Sequence, residues 1–178
     1  MGAEGLFTRS DLLTICRAAS LAERLTEKHF DLGENHWKAN PYGIFSLKQV
    51  DQSLYEPHAF ANVIRYKIRV EKRRKPDEQE RYGILLQDPN ILRSLLRRSN
   101  HDLWTVSLFV LTHELIHLVR FDKFNVDFFA EAGIRQAEED LVSSITGDIL
   151  SGVTNTDQLL ALYADREDLP ITSTWKTN

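Results

Sequence analysis

"VLTHELIHLV", residues 110–119, sets two histidines and a glutamate into a run that is otherwise uncharged and mostly apolar. The run reaches back through "LWTVSLF" (103–109), so a helix is expected from about His101 to Arg120, with Ser99 or Asn100 restarting the chain before it. On a helical wheel Trp104, Leu108, Leu111, Leu115 and Leu118 form one stripe, while Val106, Phe109 and Val110 flank the histidine side. Such a helix is expected to be covered nearly all round. The rest of the chain must supply the covering layers.

Working outward, Thr8, Ser10 and Asp11 are N-cap candidates ahead of Leu12, Leu13, Ile15, Cys16, Ala19 and Leu25, a spacing that predicts an amphipathic helix to about Phe30. Residues 33–59 carry Gly33, Pro41, Gly43 and Pro57 and read as loops, with a short strand or turn near "GIFSLKQV" (43–50). "NVIRYKIRVEK" (62–72) alternates Ile64, Tyr66, Ile68 and Val70 with Arg65, Lys67, Arg69 and Glu71, the period of a strand with one wet face. "RRKPDEQE" (73–80) reads as a polar turn and "RYGILLQD" (81–88) as the returning strand of an antiparallel hairpin. Asp88 and Pro89 open a short helix carrying Ile91, Leu92, Leu95 and Leu96. Downstream, "EAGIRQAEEDLVSSITGDIL" (131–150) and "TDQLLALYADRED" (156–168) are both helical by spacing. The order predicts an α+β fold: a small antiparallel sheet on a helical core, as one domain over 1–178 with residues 1–35 as a helical appendage.

The chain has 178 residues, 27% charged and 42% hydrophobic, which is the balance of an ordinary globular protein rather than a disordered or disulfide-built one. A net charge of -4 gives no global attraction to nucleic acid, and the basic residues between Arg65 and Arg98 read as a solvated surface. The single cysteine, Cys16, excludes an internal disulfide and is expected to be a small buried residue in a reducing compartment. The N-terminus shows neither a secretory nor a myristoylation pattern, and the apolar run around 103–119 is short for a membrane span, so a cytoplasmic setting without membrane contact is expected.

His113 and His117 are four residues apart, about 40° of rotation on a helix, so both imidazoles leave one face a turn apart. That spacing lets them take adjacent corners of a zinc tetrahedron. Glu114, turned about 100° from His113, is badly placed to share the ligand position but well placed to reach a water there. Core histidines satisfied by hydrogen bonds explain such a pair poorly, because two buried imidazoles flanking a glutamate would need several polar partners on an apolar helix.

With these residues in view, "VLTHELIHLV" resembles the extended signature of the zincin metallopeptidases, over about ten residues. The metzincin branch is not matched, since it would require Gly and His where this chain has Arg120 and Lys123. With no histidine after His117, the third ligand is a carboxylate or comes from upstream His29, His36, His58 or His101. The gluzincin branch implies a glutamate on a following helix, and the candidates are Glu131, Glu138 and Glu139. Glu138 lies at the centre of the face formed by Ile134, Leu141, Val142, Ile145 and Ile149, which makes it the expected third ligand. Gluzincins often place Asp four residues after that glutamate, where this chain has Val142; Asp140, Asp122 or a backbone carbonyl are the substitutes for orienting the first histidine.

The resemblance implies a minimal gluzincin-like peptidase: His113, His117 and Glu138 hold zinc, Glu114 is the general base, and the substrate is a peptide or protein. Tyr163, Arg135 and Arg120 are candidate oxyanion donors. In such proteins a flanking segment can cover the cleft, here residues 1–35 or the tail "TSTWKTN", and the strand "RYGILLQD" is placed to pair with extended substrate. The alternative is a regulatory or binding protein that keeps a zincin-type site with little turnover.

Overall fold

The computed structural model describes residues 5–70, 77–97, 101–128, 130–153 and 176–177. Its helices are α1 (Arg9–His29), α2 (His36–Ala39), α3 (Asp88–Arg97), α4 (Leu103–Lys123) and α5 (Ala132–Ser151). The strands are β1 (Gly43–Ser46), β2 (Ala61–Val70), β3 (Asp77–Leu86) and the two-residue β4 (Lys176–Thr177). The fold is α+β. The helix expected over 156–168 lies outside the described residues.

Helix α4 carries the motif and occupies the centre, with every residue from Thr105 to Val119 buried. It begins later than the spacing predicts because the cap is Asp102, whose carboxylate accepts the Thr105 N–H at 2.7 Å. Asn125, in the left-handed region at φ 53°, turns the chain away just past its end.

Helix α1 opens with a capping box: Asp11 N–H donates to Thr8 Oγ1 at 3.2 Å and Thr8 N–H to Asp11 Oδ2 at 2.8 Å. Its buried stripe of Ile15, Ala18, Ala19 and Ala22 packs on α4, where small side chains let two helix backbones approach closely. These residues share one core with α4, α5, β2 and β3, so α1 belongs to the body and is not an appendage. The stripe runs through Ile15 and Ala19, which turns Cys16 outward. It is exposed, not buried as expected.

The sheet runs β1-β3-β2-β4. β2 and β3 form the expected antiparallel hairpin, but β1 and β4 pair parallel to β3 and β2, so the sheet is mixed. β3 starts at Asp77, four residues before "RYGILLQD", because the acidic residues read as turn are cross-strand partners. Glu80 pairs with Arg65, and Glu78 with Lys67 at 3.5 Å. Those pairs neutralise part of the basic segment, as a solvated surface would. Gly43 and Gly83 face each other across β1 and β3, and a Cβ on either would sit 2.6–2.7 Å from the Phe45 ring, which packs edge-on against Tyr66.

A buried polar turn, Gln87–Asn90, ties the 47–60 crossover to the sheet. Gln87 Nε2 donates to Asn62 Oδ1 (2.6 Å) and Leu54 O (3.2 Å), and Asn90 Nδ2 donates to Ala59 O (2.6 Å). Asp88 is fully buried and accepts the N–H groups of Phe7 (3.2 Å) and Leu47 (3.1 Å), tying both segments to the start of α3. Burial pushes its carboxyl pKa up against the opposing pull of those hydrogen bonds. Among the described residues no helix is long and apolar enough to cross a membrane.

Candidate metal centre

Where α4 packs on α5, His113, His117 and Glu139 come together. His113 Nε2 lies 3.3 Å from His117 Nε2 and 3.3 Å from Glu139 Oε2, and His117 Nε2 lies 3.3 Å from Glu139 Oε1. All three residues are buried, the histidines almost completely. Among the described residues this is the one group of three His, Cys, Asp or Glu side chains close enough to hold a metal ion.

The donor chemistry suits a cation. Two imidazole nitrogens and a carboxylate converge where water is excluded, and a carboxylate so placed is costly unless a positive charge meets it. Burial works to raise the Glu139 pKa, yet the hydrogen bonds and charges of His113 and His117 hold it well below the usual carboxylate range. Burial works to lower His117, and Glu139 with its neighbouring carboxylates outweighs that and raises it. In the metal-free protein the imidazoles and the carboxylate thus stabilise one another's charged forms.

Thr146 orients the first histidine. Its hydroxyl donates to Val142 O at 2.7 Å, so the lone pairs of Oγ1 face His113 Nδ1 at 3.5 Å. An acceptor there favours the tautomer with the proton on Nδ1, which leaves Nε2 free to ligate. The aspartates expected in this role are elsewhere: Asp140 accepts from Gln136 on the exposed side of α5, and Asp122 pairs with Lys123. Thr146→Val is expected to weaken metal affinity by about 10- to 100-fold while Thr146→Ser retains it, measured by competition with a chromophoric chelator. Equal affinity in the valine variant would remove Thr146 from this role.

The structure does not bring Glu138, the expected third ligand, into the cluster. Its carboxylate takes a two-pronged ion pair from Arg120, with Nη2 to Oε2 at 2.8 Å and Nε to Oε1 as the second contact. The buried residues of α5 are Glu138, Glu139, Val142, Ser143, Thr146, Ile149 and Leu150, whereas Ile134 and Leu141, which centre the wheel on Glu138, are exposed. Ser143 and Thr146 are the missed signal: at i+4 and i+7 from Glu139 they complete a helical stripe that ends on two large apolar residues. Glu131 is exposed at the start of α5. Arg120, a candidate oxyanion donor by sequence, is committed to Glu138, and Tyr163 lies outside the described residues.

Glu114 sits beside the cluster, buried, with Oε2 lacking a hydrogen-bond partner. Burial pushes its carboxyl up to about 8; the charge of His117 pulls it down and that of Glu139 pushes it further up. Phe121 stacks on His117 with ring centroids 6.0 Å apart and closes that side of the cluster.

No protein-family model, curated protein or solved structure matches this chain.

Proposed function

We propose that the chain is a zinc-dependent peptidase, with His113, His117 and Glu139 as metal ligands and Glu114 as general base. The observation that carries this reading is the triad's dimensions beside Glu114. Ligand atoms about 2.0–2.1 Å from a tetrahedral zinc lie about 3.3 Å from each other; the two imidazole nitrogens are 3.3 Å apart, and each lies 3.3 Å from one oxygen of the Glu139 carboxylate, His113 from Oε2 and His117 from Oε1. Two imidazoles with one carboxylate is a donor set for zinc rather than for calcium or magnesium, which take mostly oxygen. Bound there, zinc would supply a Lewis acid and an acidified water.

The protein's own groups do the remainder. Glu114 accepts the attacking water's proton and passes it to the leaving amine, and its raised pKa suits a group that must both take and give a proton near neutrality. Glu138 and Arg120 clip α5 to α4 one residue from Glu139 and one turn from His117, fixing the ligands' spacing. A place for extended peptide also supports the reading. β1 covers β3 only at Gly83–Leu86, so among the described residues 79–82 of β3 have no strand on that side. This free edge lines a cavity of about 590 Å³ whose far wall is α4 at Leu118, Phe121 and Asp122.

One observation favours the second reading, a binding protein with a structural metal: the ligands are almost completely buried. The two part on turnover. Under the peptidase reading, a fluorogenic peptide mixture is hydrolysed, a chelator stops it, and added zinc restores it. Under the other, the chelator lowers the melting temperature and no peptide is cut with or without zinc.

A further inference from the structure

The cavity has a chemistry of its own. Its inner wall carries the Tyr82–Phe121 pair, stacked at 5.4 Å, and its outer wall the Trp37–Tyr42 pair, edge-on at 5.3 Å. Its acidic groups are satisfied: Glu80 pairs with Arg65, and Asp122 with Lys123 at 3.3 Å. At about 590 Å³ it lies within the range of organic-ligand sites, about 300–1,000 Å³. Residues 79–82 of β3, which have no strand on that side among the described residues, offer backbone donors and acceptors for about four residues of added strand, roughly 13 Å at 3.3 Å per residue. Phe121 joins this wall to His117, so one ring separates the cavity from the metal cluster.

We propose that this cavity is a specificity site for an extended peptide bearing an uncharged aromatic side chain. The peptide backbone pairs with 79–82 of β3, and the side chain enters between the two ring pairs. With Glu80 and Asp122 already paired to Arg65 and Lys123, the remaining charges of the lining are Lys38 and Arg81, which disfavour a basic residue and can attract an aromatic face, and rings on both walls present faces and edges to a third. The inference rests on the peptidase reading only for cleavage of the bound peptide; the docking itself needs no turnover.

The test uses the full chain carrying Glu114→Gln, loaded with zinc, so that binding is read without cleavage. The probes are acetylated, amidated pentapeptides, identical except for Phe, Leu, Glu or Lys at the centre, titrated calorimetrically. The Phe peptide is expected to bind about three- to tenfold tighter than the Leu peptide. Trp37→Leu should erase that preference and Trp37→Phe should keep it, with melting curves confirming that both fold. Hydrogen exchange should slow at 79–82 of β3 when the Phe peptide binds. A preference below twofold, a preference that survives Trp37→Leu, or protection confined to other segments would overturn the proposal. If the preference holds but the unsubstituted, zinc-loaded chain leaves the Phe peptide uncut, the peptidase reading fails and this site stands.

Discussion

Glu139→Ala is expected to abolish tight zinc binding, with affinity falling by more than about 100-fold, because on the proposed reading it removes one of three ligands rather than an orienting partner. The same substitution one position earlier has the opposite signature in metal content. Glu138→Ala leaves the triad intact and strands the Arg120 guanidinium, which is 14% exposed at its side chain, without its carboxylate. Removing one partner of a largely buried pair costs on the order of 3 kcal/mol, so this variant melts earlier yet keeps its metal. Glu139→Ala also leaves two buried imidazoles without the carboxylate they meet in the metal-free protein, so it too melts earlier, and metal content is what separates the two variants. Elemental analysis beside thermal unfolding reads both axes. Should Glu138→Ala fail to fold, Glu138→Gln retains an acceptor for Arg120 and keeps the comparison available. Zinc lost from the Glu138 variants and kept by Glu139→Ala would reverse the assignment.

Glu114→Gln is expected to lower the rate of peptide hydrolysis by about 10²- to 10⁴-fold while zinc content stays at the wild-type level. The amide matches the carboxyl in size and keeps an oxygen, but it cannot accept the proton that the attacking water must lose. Because Glu114 is buried and burial already pushes its pKa up to about 8, the substitution places no new uncompensated charge in the core, and the melting temperature is expected to hold or rise. Wild-type rates in the glutamine variant would deny Glu114 the role of base. A parallel loss of zinc would show that the substitution acts through the ligands.

The features legible in the sequence are those that depend on near neighbours along the chain. The α4 motif, the alternation of β2 and the hairpin all follow from local periodicity, and α+β follows from their order. Pairing set by distant segments was not legible. β1 is four residues long and finds β3 across the 47–60 crossover, and β4 meets β2 from the far end of the chain, so neither parallel pairing has a local signature. The glutamate of the cluster was not legible for a different reason. Two adjacent glutamates both bury, one for Arg120 and one for the imidazoles, and a wheel weighted toward large apolar residues discounts Ser143 and Thr146. Both hydroxyl side chains are buried, and Thr146 faces α4, where it supplies the acceptor for His113. Asp88 shows the same limit: a residue with the pattern of a helix cap serves instead to hold Phe7 and Leu47, which no local window could reveal.

Whether two imidazoles of α4 and the Glu139 carboxylate of α5 form one zinc site is tested most directly by zinc K-edge absorption of the full chain loaded with one equivalent. The expected result is a four-coordinate shell of two imidazole nitrogens and light oxygen donors at about 2.0–2.2 Å, retained through dialysis and lost in Glu139→Ala. A six-coordinate all-oxygen shell, or zinc that dialyses away from the wild-type chain, would contradict it.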